Sequence, residues 1–199
     1  MPDRGLFWSP APDWSRADIQ YQGLGITALS AQAAWLVGGN VAGFLERRGG
    51  LPCVGPRDTC ERGAYALRLA PDRLLFVSRD SALIDPSAFG WSDDGTAITD
   101  VSDGLVLFDV TGVAALDLMR MGADYDFEAG PAESAESAST LFAGLKAVVA
   151  RVRPGWRLHV ERPHAAAMWQ WLQRAASEWA KPPAPDSSRS QLPHSVATK

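Results

Sequence analysis

Histidines, cysteines and aspartates are the side chains of this 199-residue chain whose types could carry acid–base, nucleophilic or metal chemistry. Cys53 and Cys60, in LPCVGPRDTC, could supply half of a zinc site, but no second pair or neighbouring histidine completes it. We therefore interpret them as thiols of a loop, kept reduced in a cytosolic setting.

The three histidines are not placed for catalysis. His159 alternates with apolar residues in WRLHVE, which predicts a strand position near the core, His164 follows Pro163 at a helix start, and His194 lies in a polar tail. The nucleophile motif GxSxG is absent, as are the phosphate-binding and calcium-binding motifs. The sequence therefore predicts no catalytic, cofactor-binding or metal-ligating residue in this chain.

Aspartates are numerous in the middle of the chain, and we interpret most of them as loop carboxylates or caps. Asp100 and Asp103 flank Ser102, a pattern typical of turns in which short polar side chains bond their own backbone. Asp109 is expected on the strand face opposite Phe108, and Asp117 on the polar side of a helix.

Composition limits the possible partners. The net charge is −4 and no run of Lys and Arg is long enough to offset it, which argues against nucleic acid, and no apolar stretch is long enough to span a membrane. The N-terminus has no signal-peptide pattern, so we expect a soluble cytoplasmic protein. Eight tryptophans favour contact with a partner, through the N-terminal arm and the last helix.

Two hairpin patterns dominate the rest of the chain. AYALRLA and RLLFVS flank a Pro-Asp turn, and STLFAGLKAVVARVR and WRLHVE flank a Pro-Gly turn. Each is followed by a helix pattern, which predicts an α+β fold of two strand-hairpin-helix lobes with antiparallel sheets and helices on one face. We expect an arm and loop region over residues 1–60, the domain over 61–181 and a disordered tail over 182–199. Within the arm and loop region, the spacing over Leu24 to Leu45 is roughly helical at first and then uncertain.

A strand, a Thr-Gly step and a short helix are predicted over TDVSDGLVLFDVTGVAALDLMRMGADYDF. Val106, Phe108 and Val110 share one strand face, Thr111 is expected to cap the helix, and Gly122 to end it in a left-handed conformation. The helix is expected to bury a stripe of Val113, Leu116 and Met119. In the closing helix, Met168, Leu172 and Ala176 line one side, and Trp169 and Trp171 diverge, one inward and one outward.

Tyr65 to Ala180 resembles the gamma subunit family of heterotetrameric sarcosine oxidase. The resemblance rests on PDRLLFV, on TDVSDGLVLFDVTGVAALDLMRMGADYDF and on the Trp-rich closing helix HAAAMWQWLQRAASEWA. More distantly, the strand-Gly-helix segment is similar to the folate-binding aminomethyltransferase (glycine-cleavage T-protein) superfamily, so the fold is expected to resemble part of that fold.

The resemblance implies a small non-catalytic subunit of a flavin-dependent oxidoreductase that demethylates sarcosine and passes the one-carbon unit to tetrahydrofolate. FAD, FMN, NAD and tetrahydrofolate are then expected on other subunits, with none on this chain, and the partners are large, medium and zinc-binding small subunits.

Two alternatives stay open: a stand-alone tetrahydrofolate-dependent methyl- or aminomethyl-transferase, or the same subunit of a complex acting on dimethylglycine or a related amine. Asp126 could be a relic of a folate-site carboxylate, although the acidic pair of the folate-binding relatives is missing from AGLKAVVARV.

Overall fold

The computed structural model describes residues 12–29, 33–47, 64–127, 137–152 and 154–180. Cys53, Cys60, His194 and the predicted tail lie outside the described residues. The described strands are β1 (Asp18–Tyr21), β2 (Leu24–Leu29), β3 (Ala33–Gly39), β4 (Ala64–Ala70), β5 (Arg73–Ser78), β6 (Gly90–Trp91), β7 (Thr96–Asp100), β8 (Leu105–Thr111), β9 (Ser137–Phe142), β10 (Leu145–Val152) and β11 (Gly155–Glu161). The described α-helices are α1 (Val41–Arg47), α2 (Ala115–Gly122) and α3 (Arg162–Ala176).

Two antiparallel sheets organise these elements. The first sheet has the strand order β1-β2-β8-β11-β10-β9, and the second has the order β4-β5-β3-β7-β6. The chain begins in the first sheet, passes through the second from β3 to β7, and returns to the first at β8. The predicted α+β fold, with two antiparallel sheets and helices, is confirmed.

The sheets stack between helices in four layers. Helices α2 and α3 pack on the outer face of the first sheet, where Val106, Phe108 and Val110 lie buried together as predicted. Helix α1 packs its Phe44 against the outer face of the second sheet. Between the sheets lies a third apolar cluster, formed by Ala34, Tyr65, Leu67, Leu75 and Val77 of the second sheet and by Leu107 and Ala150 of the first.

The helical spacing predicted from Leu24 onward is wrong. This stretch forms β2, β3 and the short helix α1, so strands of both sheets come from the region where the sequence indicated an arm and a loop. Gly25 permits close pairing of β2 with β8, because a Cβ at this position would lie only 2.9 Å from Thr111 Oγ1. The division of the chain at residue 60 stays a prediction.

Three details predicted around the Thr-Gly step are also wrong. Thr111 does not cap α2, because its hydroxyl donates to the backbone oxygen of Gly25 at 3.4 Å and the turn at Gly112 (φ 100°) intervenes before the helix. Val113 lies in that turn and is 92% exposed, so the buried stripe of α2 is Ala115, Leu118 and Met119.

Gly122 is required by packing rather than by a left-handed stop. It is not among the described residues with positive φ, and the chain leaves the helix through Ala123 in an extended conformation. A Cβ at Gly122 would lie 2.1 Å from Cζ of Phe142, whose ring is fully buried and contacts Trp171 edge-on at 5.2 Å. The absent side chain therefore lets α2 approach β9.

Helix α3 follows its predicted pattern. Pro163 lies in its first turn, where a missing N–H costs no hydrogen bond, and Met168, Leu172 and Ala176 are buried on one side. Trp169 is buried and stacks on Phe108 at 5.8 Å, whereas Trp171 is half-buried against Phe142. None of the described helices is long and apolar enough to span a membrane.

Replacing Gly122 by alanine tests this packing. In an open helix position Gly→Ala stabilises by up to about 1 kcal/mol, but here the methyl group overlaps the Phe142 ring, so we expect a loss of about 1–3 kcal/mol in the free energy of unfolding. Gly38→Ala is the matched control, because its Cβ would meet no described atom closer than 4.0 Å. Denaturant unfolding measures both; an unchanged or higher stability of Gly122→Ala would refute the packing argument.

Candidate functional site

A buried polar network joins the two sheets and forms the candidate functional site. Tyr65 comes from β4 of the second sheet, Asp109 from β8, and Arg157 and His159 from β11 of the first. Asp109 is the cross-strand partner of Arg157, and Arg157 and His159 are two residues apart, so all three point to the same face of the first sheet. That face is opposite to the one covered by α2 and α3.

An ion pair anchors the network. Arg157 Nε donates to Asp109 Oδ1 at 2.5 Å and Nη2 donates to Asp109 Oδ2 at 2.8 Å, which is the bidentate geometry of strong guanidinium–carboxylate pairs. The third contact of Arg157 crosses between the sheets: Nη1 donates to Tyr65 Oη at 3.3 Å. The guanidinium also lies 5.5 Å from the centre of the Tyr65 ring.

The imidazole of His159 completes the network in one tautomer. Its Nδ1 lies 3.0 Å from the carbonyl oxygen of Val148, which can only accept, so Nδ1 carries the hydrogen. Nε2 is then the acceptor for the Tyr65 hydroxyl at 2.7 Å. Hydrogen bonds therefore run in one direction from Arg157 to Tyr65 to His159 to Val148, and both ring nitrogens have partners.

Burial fixes the protonation states of this network. Desolvation is the main reason that the pKa of His159 falls to about 3, with the positive charge of Arg157 acting in the same direction. Desolvation likewise raises the pKa of Tyr65 to about 12, although Arg157 opposes the rise. Burial disfavours the charge of Arg157, but its hydrogen bonds to Asp109 and Tyr65 and the charge of Asp109 raise its pKa above the ordinary value. At neutral pH these pKa values leave His159 neutral and Tyr65 protonated.

The other residues singled out from the sequence lie apart from this network. Asp100 accepts from the Ser102 hydroxyl at 2.6 Å and from its backbone N–H at 2.9 Å, which confirms the predicted turn. Asp117 is exposed on α2 and pairs with Arg120 at 3.4 Å. Asp126 and His164 are exposed, whereas the predicted inward position of His159 is confirmed. No cluster of three potential metal ligands occurs among the described residues.

Tyr65 and Arg157 were missed from the sequence. Their signal was weak but present: in AYALRLA, Tyr65 shares a face with Leu67, and in GWRLHVE, Arg157 and His159 share the face opposite Trp156, Leu158 and Val160. Two polar residues on the same face of a fully buried strand indicate a polar network rather than a solvated edge. The spacing within each strand does not indicate that Tyr65, from the other sheet, is the partner of Arg157 and His159.

Comparison with known proteins gives a family and a fold. Residues 86–178 match the model of the sarcosine oxidase gamma subunit family. The whole fold is similar to a chain of the heterotetrameric sarcosine oxidase from Corynebacterium sp. U-96 in complex with pyrrole 2-carboxylate, with a TM-score of 0.67, 19% identity, and coverage of 85% of this chain and 92% of that chain. A search of the curated proteins found no match.

The chain is thus an α+β protein of two stacked antiparallel sheets whose fold is similar to that of a chain of a solved oxidase. Residues 86–178 match the sarcosine oxidase gamma subunit family, which confirms the resemblance seen in the sequence. This range includes Asp109, Arg157 and His159 of the network, whereas Tyr65 lies outside it.

The neutral state of His159 makes stability depend on pH. Because its pKa falls from 6.5 in the unfolded chain to about 3 in the fold, its contribution is fully present above about pH 6.5 and is lost as the pH falls towards 3. The slope contributed by this one proton reaches about 1.4 kcal/mol per pH unit between those limits.

We therefore expect His159→Gln to have a shallower loss of stability between about pH 6 and pH 4 than the parent chain. His164→Gln is the matched control, because His164 is an exposed histidine of the same chain. Denaturant unfolding at a series of pH values measures the slopes. An identical slope for His159→Gln and the parent would contradict a neutral, buried imidazole.

Proposed function

We propose that this chain is the gamma subunit of a heterotetrameric complex of the sarcosine oxidase type, and that it supports assembly rather than catalysis. Membership rests on the family match over residues 86–178 and on the similar fold of a chain from such a complex. The oxidative demethylation of sarcosine, and transfer of the one-carbon unit to tetrahydrofolate, would then take place on other subunits.

The observation that carries the non-catalytic role is the saturation of the buried network. General acid–base catalysis needs a group that is within reach of substrate and has a pKa near the working pH. His159 has both ring nitrogens occupied and a pKa of about 3, and the hydroxyl of Tyr65 is bound on both sides with a pKa of about 12. Such a network holds the two sheets together but leaves neither His159 nor Tyr65 available as a general acid or base.

The proposal assigns the cofactors and partners accordingly. FAD, FMN, NAD and tetrahydrofolate belong to the other chains of the complex, and the partners are the large, medium and zinc-binding small subunits. Exposed apolar side chains supply candidate contact points, among them Trp91 at 75% exposure and Val113 at 92%. Their exposure is consistent with a chain that buries apolar surface on assembly.

Reconstitution tests this proposal. The organism's large, medium and zinc-binding subunits are purified together with this chain or without it, and sarcosine-dependent flavin reduction is measured. We expect the chain to co-purify in a fixed ratio, and we expect the His159→Gln complex, once assembled, to keep kcat within about threefold of the parent. Loss of a general acid or base would instead cost about a hundredfold or more in kcat.

Two results would contradict the proposal. A chain that stays separate from the three subunits would refute membership, and an assembled His159→Gln complex without turnover would refute the structural role. The alternative of a stand-alone transferase is tested by titrating the isolated chain with tetrahydrofolate and monitoring tryptophan fluorescence. This alternative requires tight, saturable binding. Flavin reduction by dimethylglycine but not by sarcosine would identify a related N-demethylase instead.

A further inference from the structure

The two sheets separate at one end and leave an open cleft. Its volume is about 610 Å³, and its walls include Leu36 and Leu75, a cross-strand pair of the second sheet, and Leu105 and Val148 of the first. His159 lies at the inner limit of this cleft, next to the network. We name this space the sheet cleft; it lies entirely within the described part of the chain.

The inner surface of the sheet cleft is apolar in effect. His159 contributes no free polar atom, since Nδ1 is bonded to Val148 and Nε2 to Tyr65. The surrounding side chains are mainly leucine and valine, and the exposed Ser139 adds a hydroxyl to the lining. An apolar body placed there would lose no hydrogen bond, and water there would gain few.

Positive charge predominates where the cleft opens to solvent. Arg73 of β5 and Lys146 of β10 line it from opposite sheets, and Glu161 of β11 is the one acidic residue lining it. No side-chain hydrogen bond or ion pair joins any of these three residues to another described residue, and all three are exposed. In a chain of net charge −4, this opening therefore carries a local excess of one positive charge.

The size of the cleft favours a small molecule over a protein segment. Ligand sites in proteins are typically concave spaces of about 300–1,000 Å³, mostly apolar, with a few polar groups that orient the ligand. Stable protein–protein contacts cover a broader surface of about 800 Å² on each partner. The sheet cleft meets the first description in volume, lining and the placement of its charges.

We propose that the sheet cleft binds a small amphipathic anion, an apolar chain or ring system carrying one carboxylate or sulfonate. The apolar body lies between Leu75 and Val148, and the anionic group lies at the opening between Arg73 and Lys146. This site is independent of the assembly role proposed above, since it needs residues of this chain alone.

The test uses the full chain with anilinonaphthalene sulfonate as the fluorescent anion, and decanoate and decanol as competitors. We expect saturable binding to a single class of site, displacement by decanoate, and weaker displacement by decanol because it lacks the charge. The double variant Arg73→Gln/Lys146→Gln is expected to weaken binding about tenfold or more. A higher salt concentration is expected to weaken binding by a smaller factor. Arg174→Gln, an exposed arginine on α3 beyond the first sheet, is the control and should change the affinity less than twofold.

Because both substituted residues are exposed, thermal unfolding is expected to show that the double variant is folded. Equal affinity of the double variant and the parent would overturn the proposal, as would equal displacement by decanol and decanoate or the absence of saturable binding. In the assembled complex the sheet cleft should remain open and the affinity unchanged. Loss of binding on assembly would mean that a partner segment fills the cleft, and would also overturn the proposal.

Discussion

The arrangement of the two sheets depends on one buried constraint: the charge of Arg157 must be satisfied from both sheets at once. Asp109 neutralises it from the neighbouring strand, and the Tyr65 hydroxyl accepts its third hydrogen bond from the opposite sheet. Removing one partner of a fully buried pair costs about 3–5 kcal/mol; the Arg157 and Asp109 side chains are 10% and 21% exposed, so the cost here is smaller. Sliding the sheets would separate Tyr65 from both Arg157 and His159, so the network fixes their relative position more specifically than apolar contacts do.

The constraint also explains the character of β11. A central strand covered on both faces is normally apolar throughout, and six of the seven residues of β11 are buried. Trp156, Leu158 and Val160 face the helices, whereas Arg157 and His159 face the second sheet. The polar side chains of Arg157 and His159 are tolerated there because they are hydrogen-bonded to Asp109, Tyr65 and Val148. His159 also lines the sheet cleft.

The elements that could be predicted from sequence were those with a local signal. The hairpin of β4 and β5, the alternation of Val106, Phe108 and Val110, and the buried side of α3 all follow from periods of two or 3.6 residues. The failures share another cause. Gly122 was expected to end a helix, but Gly122 and Gly25 are each required by a neighbour far along the chain, Phe142 and Thr111 respectively. Tyr65 meets His159 only because the chain returns to the first sheet at β8, and no local spacing contains that contact.

The central claim is that the Arg157–Tyr65–His159 network joins the two sheets with His159 neutral and Tyr65 protonated at neutral pH. The most direct measurement is the nitrogen-15 spectrum of the His159 ring in the labelled chain, followed from about pH 8 to about pH 4.5. The account predicts two distinct ring-nitrogen shifts throughout, typical of a neutral imidazole with hydrogen on Nδ1. Convergence of the two shifts with a midpoint near the ordinary value of 6.5 would show that His159 takes up a proton in the fold, and would contradict the central claim.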